Sequence, residues 1–417
     1  MLGWGACVRI LILGLNYSPE LVGIGPYTSE MAVSLVQQGH AVQVVAARPY
    51  YPGWTVPAEF RGRGYRRGLE AGVDVVRCPL YVPANPTGAR RILHHLSFAA
   101  TSLWPIARAL FGRDKPDLMI AIAPSLMSVP GARILARLRG VRTWLHIQDF
   151  EVGAALATGL IGEHGLAGRL ARLFEKAAHA GFDRYSSISP QMCRRLVAAG
   201  IPADRVVELR NWSDITAVTP LQRPSDYRAA WNITTPHVAL YSGNIANKQG
   251  VEIVLDAARR LSHRRDLTFV ICGDGARKEA LAESAVDLAN IRFHPLQPRA
   301  RLSELLGLAT IHLLPQLEGA ADLVLPSKLT NMLASGRPVV ATAAPGTGLA
   351  EEVQGCGLIS TPGDPDRFAR AIETLMDDAP FYAGAAREAR LRAERSWSKD
   401  TILRRLDRWV REMAPSR

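Results

Sequence analysis

The sequence predicts an α/β protein of two domains, each built on a parallel sheet covered by helices on both faces. Three observations predict it. Short apolar runs alternate with helix-period segments along nearly all of the 417 residues, and strands spaced by helices of roughly 10–15 residues imply crossover connections. The length allows about two or three domains at roughly 150 residues each. One stretch without periodicity, 209–226, carries Pro220 and Pro224 and divides the alternation in two.

In the first half, 8–14 reads as a strand and 25–38 as a helix that starts beside Pro26. Residues 41–46 and 73–77 are short strands, and 118–123 is a continuous apolar strand followed by a helix at 129–138. Strands at 142–147, 186–188 and 206–209 and a helix at 190–199 complete it. The second half repeats the alternation, with strands at 237–242, 267–272, 291–293, 311–314 and 338–341 and helices at 249–262, 276–285 and after Ser327. Charged helical residues at 384–413, including Trp397 and Trp409, close the chain. The expected domains are 1–212 and 213–383, with 384–413 packing back on the first. Two such sheets are expected to face each other across a cleft, and ligands to bind beyond the carboxyl ends of the strands.

A 48% hydrophobic composition supports two cores. No apolar run reaches the roughly 20 residues that span a bilayer. The N-terminus lacks a leading positive region and a clean cleavage site, so 8–14 reads as a buried strand rather than a signal peptide, and the chain is expected in the cytoplasm. Five cysteines are scattered without metal-ligand spacing and are expected to be buried, reduced thiols.

The net charge is +12, and residues 1–217 hold most of the excess, with 24 Lys and Arg against 15 Asp and Glu. Arg61, Arg63, Arg66, Arg67, Arg90 and Arg91 cluster there. A basic face can serve nucleic acid or an anionic membrane. A nucleic-acid surface needs aromatics interleaved with the basic residues; these clusters lack them, so nucleic acid is not expected as a partner. The segment 92–111 is too polar to span a bilayer. It suits an amphipathic element lying on an anionic leaflet, and an ordinary core helix is the competing reading.

The stretch 319–342 reads as loop, helix, Gly stop and buried strand, with Ser327 and Lys328 where the helix begins. Helix N-termini attract phosphate. A second such turn, 241–250, follows a strand and carries Gly243, Asn244 and Lys248; the glycine lets backbone approach a ligand, and the lysine supplies a point charge for a diphosphate. Two turns of this kind suggest an enzyme that handles a nucleotide diphosphate. Gly273-Asp274-Gly275 can admit a base or ribose, or form a plain turn. Gly23-Ile24-Gly25-Pro26 is too far from the first strand for a dinucleotide fingerprint, and the second strand ends in Ala46-Ala47-Arg48 without the ribose-binding acid. It reads instead as a loop open to a substrate near Gly25. His146 and Asp149 lie just past a strand end, where polar groups face a cleft. Asp364 and Asp366 precede an apolar helix and read as caps rather than metal ligands. Tyr50, Tyr51 and Trp54 share one loop that can stack on a sugar, rest on a membrane or simply pack.

Taken together, YSGNIANKQGVE and LPSKLTNMLASGRPVVAT, with NYSPELVGIGPYTSEMA near the start and LISTPGDPDRFARAIETL near the end, carry a recognisable pattern. The chain resembles the retaining glycosyltransferases of family 4, whose GT-B architecture sets two Rossmann-like domains face to face. It is more closely similar to the colanic-acid type of bacterial exopolysaccharide transferases. The resemblance implies a nucleotide-diphosphate-sugar donor held mainly by the second domain, a lipid-linked saccharide acceptor, no metal and no other cofactor. It implies Gly243, Asn244 and Lys248 at the diphosphate, Ser327 and Lys328 at the donor loop, Gly25 in the loop facing the donor, and His146 and Asp149 near the transferred sugar, beside which Gly273 remains the expected contact for a base or ribose. The family often carries two glutamates seven residues apart in the donor loop. Here Leu323 and Asn331 occupy those places, so Asn331 is expected on a ribose hydroxyl, and Glu318 or Asp322 on the sugar. Fucose from a GDP donor is what the colanic-acid likeness suggests.

The expected chemistry is front-face substitution in which the departing phosphate takes the acceptor proton and Lys248, Lys328, Ser327 and two helix N-termini hold the negative charge. A nucleotide-sugar epimerase or hydrolase without a lipid acceptor is the rival expectation, since it needs the same donor pocket.

Overall fold

A computed structural model describes residues 7–21, 23–150, 165–245, 249–317 and 326–414. The chain forms two compact units, Met1–Arg210 with Thr401–Arg417, and Asn211–Asp400.

The first unit runs β1 (Arg9–Gly14), α1 (Gly25–Gln37), β2 (Ala41–Ala47), β3 (Arg66–Glu70), β4 (Val73–Cys78), α2 (Gly88–Phe111), β5 (Leu118–Ala123), α3 (Val129–Leu138), β6 (Arg142–Ile147), α4 (Leu166–His179), β7 (Arg184–Ser187), α5 (Pro190–Ala198) and β8 (Val206–Glu208). Its sheet has the order β3-β4-β2-β1-β5-β6-β7-β8. Every pairing is parallel except β3 with β4. The run LMIAIA of β5 is buried at every position, as a central strand covered on both faces must be. From β4 onward each crossover steps the same way along the sheet. Right-handed connections therefore put α2, α3, α4 and α5 on one face and α1 on the other.

The edge strand β3 was not anticipated. Its residues RRGLE are mostly exposed, and an edge strand needs no apolar alternation. It draws two members of the basic cluster into the sheet, where Arg67 pairs with Asp74 at 2.8 Å. On the neighbouring β4, Arg77 pairs with Glu70 at 2.7 Å. Part of the expected positive face is thus neutralised locally.

The second unit contains α6 (Asp226–Ala230), β9 (His237–Asn244), α7 (Glu252–Arg260), β10 (Leu267–Asp274), α8 (Lys278–Glu283), β11 (Ile291–His294), α9 (Leu302–Leu308), β12 (Ile311–Leu314), α10 (Lys328–Ala334), β13 (Val339–Thr342), α11 (Gly348–Val353), β14 (Gly357–Ser360), α12 (Pro365–Asp377) and α13 (Ala379–Ser396). The sheet order is β11-β10-β9-β12-β13-β14, parallel throughout. Asp364 caps α12 by accepting from the Arg367 amide at 2.9 Å, which accounts for one acid of the Asp364-Pro365-Asp366 group.

The closing segment differs from the single helix expected at 384–413. It is two helices, α13 and α14 (Lys399–Met413), separated at the buried Trp397 and Ser398. Ser213 holds the break, donating its amide to Trp397 O at 2.7 Å and accepting from the Lys399 amide at 3.1 Å. α13 belongs to the second unit, and from Thr401 the chain belongs to the first. There Asp407 meets His40 at 2.6 Å, and Arg411 donates to Gln38 O at 2.9 Å. Among the cysteines, Cys78, Cys272 and Cys356 are buried, but Cys193 is half-buried and Cys7, just before the first strand, is exposed.

Candidate active site

In the second unit the groups collect at the carboxyl end of β9. Tyr241, on the last apolar turn of that strand, is fully buried. Lys328, the first residue of α10, reaches it from outside the strand. Its Nζ donates to Tyr241 Oη at 3.0 Å and stands 4.1 Å from the ring centroid. Tyr241 Oη in turn donates to Asn244 O, which ties the end of β9 to the ammonium. Burial, and then the nearby Glu252, push the Tyr241 phenol well above its ordinary value, so it stays a protonated donor.

Gly243 adopts φ +129°, and a side chain there would begin 3.2 Å from Lys328 Nζ. Gly273 stands opposite Gly243 in the ladder, and a Cβ on it would fall 1.9 Å from Gly243 O. These glycines therefore let β9 and β10 continue two residues beyond the expected strand ends, to Asn244 and Asp274. The expected turn at Gly273 begins inside a strand because only hydrogen fits between the chains.

Ser327 is exposed and makes no side-chain cap to α10. That helix has only seven residues, so its dipole is short and the Lys328 ammonium is the stronger positive group at its start. Asn331 Oδ1 accepts from Ser213 Oγ at 2.7 Å, which engages it with the segment that opens the second unit. Lys248, Glu318 and Asp322 lie outside the described residues. Close to them in the sequence, Gln249 and Gln316 each bury a side-chain oxygen that has no hydrogen-bond partner among the described residues. Thr342 fixes the second of these, accepting from the Gln316 amide at 2.6 Å and donating to its carbonyl at 2.7 Å.

In the first unit, Gly25 opens α1 with Pro26 in its first turn. Its lack of a side chain has a definite cause, since a Cβ would lie 3.2 Å from Glu20 Cβ. Glu20 is only 6% exposed. Its carboxylate accepts from the amides of Tyr50 at 2.9 Å and Tyr51 at 3.0 Å, and from Asn16 Nδ2 at 2.8 Å. Burial pushes its pKa up, and these hydrogen bonds oppose the shift. One carboxylate thus binds the loop after β1 to the aromatic loop after β2. That second loop is packed, with the Tyr50 ring 4.5 Å from His94 and Arg91 over Trp54 at 5.5 Å.

His146 sits near the end of β6, 2% exposed, with Nδ1 2.8 Å from Ser186 Oγ. Trp144 Nε1 donates to the same hydroxyl at 2.8 Å, so Ser186 joins the two side chains. Burial holds His146 down to about 3, so the imidazole is neutral at physiological pH. Asp149 is half-buried two residues beyond the strand, beside Gln148 and the buried Phe150. The structure thus brings Lys328, Gly243, Asn244 and Gly273 together, and holds Gly25, His146 and Asp149 in the other unit.

Comparison with known proteins gives these groups a chemical context. A family described as "Glycosyl transferase 4-like domain" matches residues 22–212, and "Glycosyl transferases group 1" matches 236–378. The putative colanic acid biosynthesis glycosyl transferase WcaI of Escherichia coli (strain K12) is 41% identical over 95% of this chain and 98% of its own length. The chain belongs to the family 4 glycosyltransferases. Its fold is that of solved GT-B enzymes. Sucrose-phosphate synthase from Thermosynechococcus elongatus superposes with a TM-score of 0.75 at 15% identity, covering 97% of this chain and 99% of that one. Alr3699/HepE of Anabaena, in complex with UDP-glucose, gives 0.68 at 16% identity, covering 97% and 100%.

Among the transferase's described residues, no three His, Cys, Asp or Glu side chains stand together as a metal site, and no helix is long and apolar enough to cross a membrane. Sequence reasoning missed Tyr241, Glu20 and Gln316. Tyr241 had a signal, an aromatic two residues before a glycine at a strand end. Glu20 had none, because its partners are backbone amides thirty residues away.

Proposed function

We propose that this transferase moves a sugar, with retention of configuration, from a nucleoside-diphosphate sugar to a lipid-linked saccharide during exopolysaccharide assembly. The observation that carries the reading is the Lys328 ammonium held over Tyr241 and Gly243 at the carboxyl end of β9. It is a fixed cation beside backbone that has no side chain, which suits a pyrophosphate leaving group. Lys248 supplies a second charge, and Ser327 and Asn244 supply donors. The buried oxygens of Gln249 and Gln316 suit sugar hydroxyls, which must donate there. His146, neutral at physiological pH, offers the sugar a hydrogen bond rather than a charge. Asp149 and Gly25 serve the sugar from the first unit, Gly273 the nucleoside and Asn331 a ribose hydroxyl through its amide nitrogen, while Glu318 or Asp322 takes the sugar contact.

The UDP-glucose held by the Anabaena protein supports the donor class, and the WcaI likeness supports a colanic-acid-like product and, with it, GDP-fucose as the first donor to try. No metal is needed, since the lysines supply the charge a divalent cation would. The acceptor is met at the inner face of the cytoplasmic membrane, where the transferase is a peripheral protein. On α2, the exposed Ile92, Leu93, Leu96 and Trp104 beside Arg90 and Arg91 support this.

The test is a thermal-shift screen with UDP, GDP, dTDP and CMP, followed by transfer assays with the sugar donor of the stabilising nucleotide. One nucleoside diphosphate is expected to raise the melting temperature, and release of that nucleotide is expected to require lipid-linked acceptor and to survive chelator. Rapid donor consumption without acceptor would favour a hydrolase or epimerase.

A further inference from the structure

α4 is an amphipathic helix turned inside out. Apolar stripes of surface helices ordinarily face the core. Here the inward face is made of small residues, with Gly168 and Ala178 buried and Ala171 packed against Leu126. The large apolar residues Leu166, Leu170, Leu173 and Phe174, at i, i+4, i+7 and i+8, point outward and are 74%, 57%, 64% and 39% exposed. Arg169, Arg172 and Lys176 flank that stripe, and the helix's one acid, Glu175, is on the half-buried side. Its neighbour α3 repeats the arrangement, with Ile134 and Leu138 exposed one turn apart beside Arg137. α2, α3 and α4 share one face of the sheet, so these stripes belong to one helix layer.

We propose that α4, with the outer edge of α3, is a second membrane-docking element that lies in the interface of an anionic bilayer. The inference rests on the peripheral-membrane part of the proposed function and extends it to 134–138 and 166–174, which α2 does not include. Charge decides the occupant. A second copy docked by a two-fold contact would set Arg169, Arg172 and Lys176 against their own equivalents. An anionic leaflet supplies the opposite charge and an apolar phase that accepts leucine side chains without a matching pocket. A three-helix footprint would also hold the first unit at one orientation to the membrane, where a single helix leaves rotation about its axis.

The experiment is co-sedimentation of the full chain with vesicles of phosphatidylcholine alone and with phosphatidylglycerol added. It compares the parent with Leu170→Gln/Leu173→Gln on α4 and Leu93→Gln/Leu96→Gln on α2. The parent is expected to bind the anionic vesicles, more weakly at high salt. The α4 variant is expected to bind at least about tenfold more weakly, with an unchanged melting temperature, since neither leucine is packed in the core. Unchanged binding by the α4 variant overturns the inference. So does a parent dimer that the α4 variant converts to monomer, which would make a second copy the occupant. If only the α2 variant loses binding, the membrane reading stands and the α4 inference falls. Transfer to a soluble acceptor analogue is expected to be the same in all three proteins, so a failure of the transferase reading shows separately.

Discussion

Replacing Lys328 by alanine separates a catalytic from a structural role for the residue. The ammonium donates to Tyr241 Oη and stands over the face of the same ring. A neutral-acceptor hydrogen bond is worth about 1 kcal/mol net, and a partly exposed cation–π contact about 0.5–1 kcal/mol. Tyr241 Oη keeps its bond to Asn244 O in the variant, so no buried donor is orphaned. The expected stability loss is therefore about 1–2 kcal/mol, a fall of roughly 2–8 °C in the melting temperature of a unit of this size. The expected effect on the barrier is larger. A fixed donor facing developing negative charge is worth about 2.7–4 kcal/mol, or 10²–10³ in kcat.

Nucleotide release under saturating donor measures kcat, and a fluorescence melt measures stability. Tyr241→Phe is the control, because it removes the same hydrogen bond while keeping the ammonium and the ring. It should lose about as much stability and much less turnover. If Lys328→Ala keeps kcat within threefold of the parent, or if the two variants lose turnover equally, the ammonium is a structural prop and the leaving-group argument fails.

Gly273→Ala puts a methyl 1.9 Å from Gly243 O, where backbone rather than a pliable side chain must yield. A loss of about 3 kcal/mol or more is expected, and a parent-like urea midpoint would refute the close approach. Glu20→Ala leaves the amides of Tyr50 and Tyr51 buried without their acceptor and should cost about 2–4 kcal/mol; Glu20→Gln, which keeps an oxygen there, should lose far less in the same melt. His146 and His312 are both held down to about 3 by burial, against an ordinary value of 6.5. The unfolded chain therefore takes up more protons below pH 6.5, and stability falls as the pH drops from 6.5 towards 3. Each should remove about 2 kcal/mol by pH 5; a urea midpoint that is flat between pH 7 and pH 5 would contradict their burial as neutral groups.

The parallel sheets were legible in the sequence because buried strands are written as continuous apolar runs, of which β5 and β13 are the plainest. What escaped was structure whose cause lies elsewhere in the chain. β3 is polar because it is an edge, and α4 hides its period because its core face is made of Gly and Ala. The break at Trp397 is set by Ser213, almost two hundred residues upstream. Glycine motifs were visible, but their meaning changed on folding. Gly25 is small because Glu20 backs it, and Gly273 because Gly243 faces it. In each case the glycine serves protein packing first, and any approach of a ligand depends on that packing.

The two places where family glutamates are absent, Leu323 and Asn331, bear on how the site works. A carboxylate near the start of α10 would pair with Lys328 and offset its charge. In this chain the ammonium donates to the Tyr241 phenol, which itself donates to Asn244 O, and it stands beside Gly243. These contacts orient the ammonium. A seven-residue helix adds little field of its own. The charge available to a departing diphosphate therefore resides chiefly in side chains, and side-chain charge can be removed by single substitutions. Lys328→Arg should on this argument recover only part of the activity lost in Lys328→Ala, because the guanidinium keeps the charge but cannot seat its planar head between the Tyr241 ring and Gly243. Full recovery would mean that charge alone matters and that the fit against Gly243 is incidental.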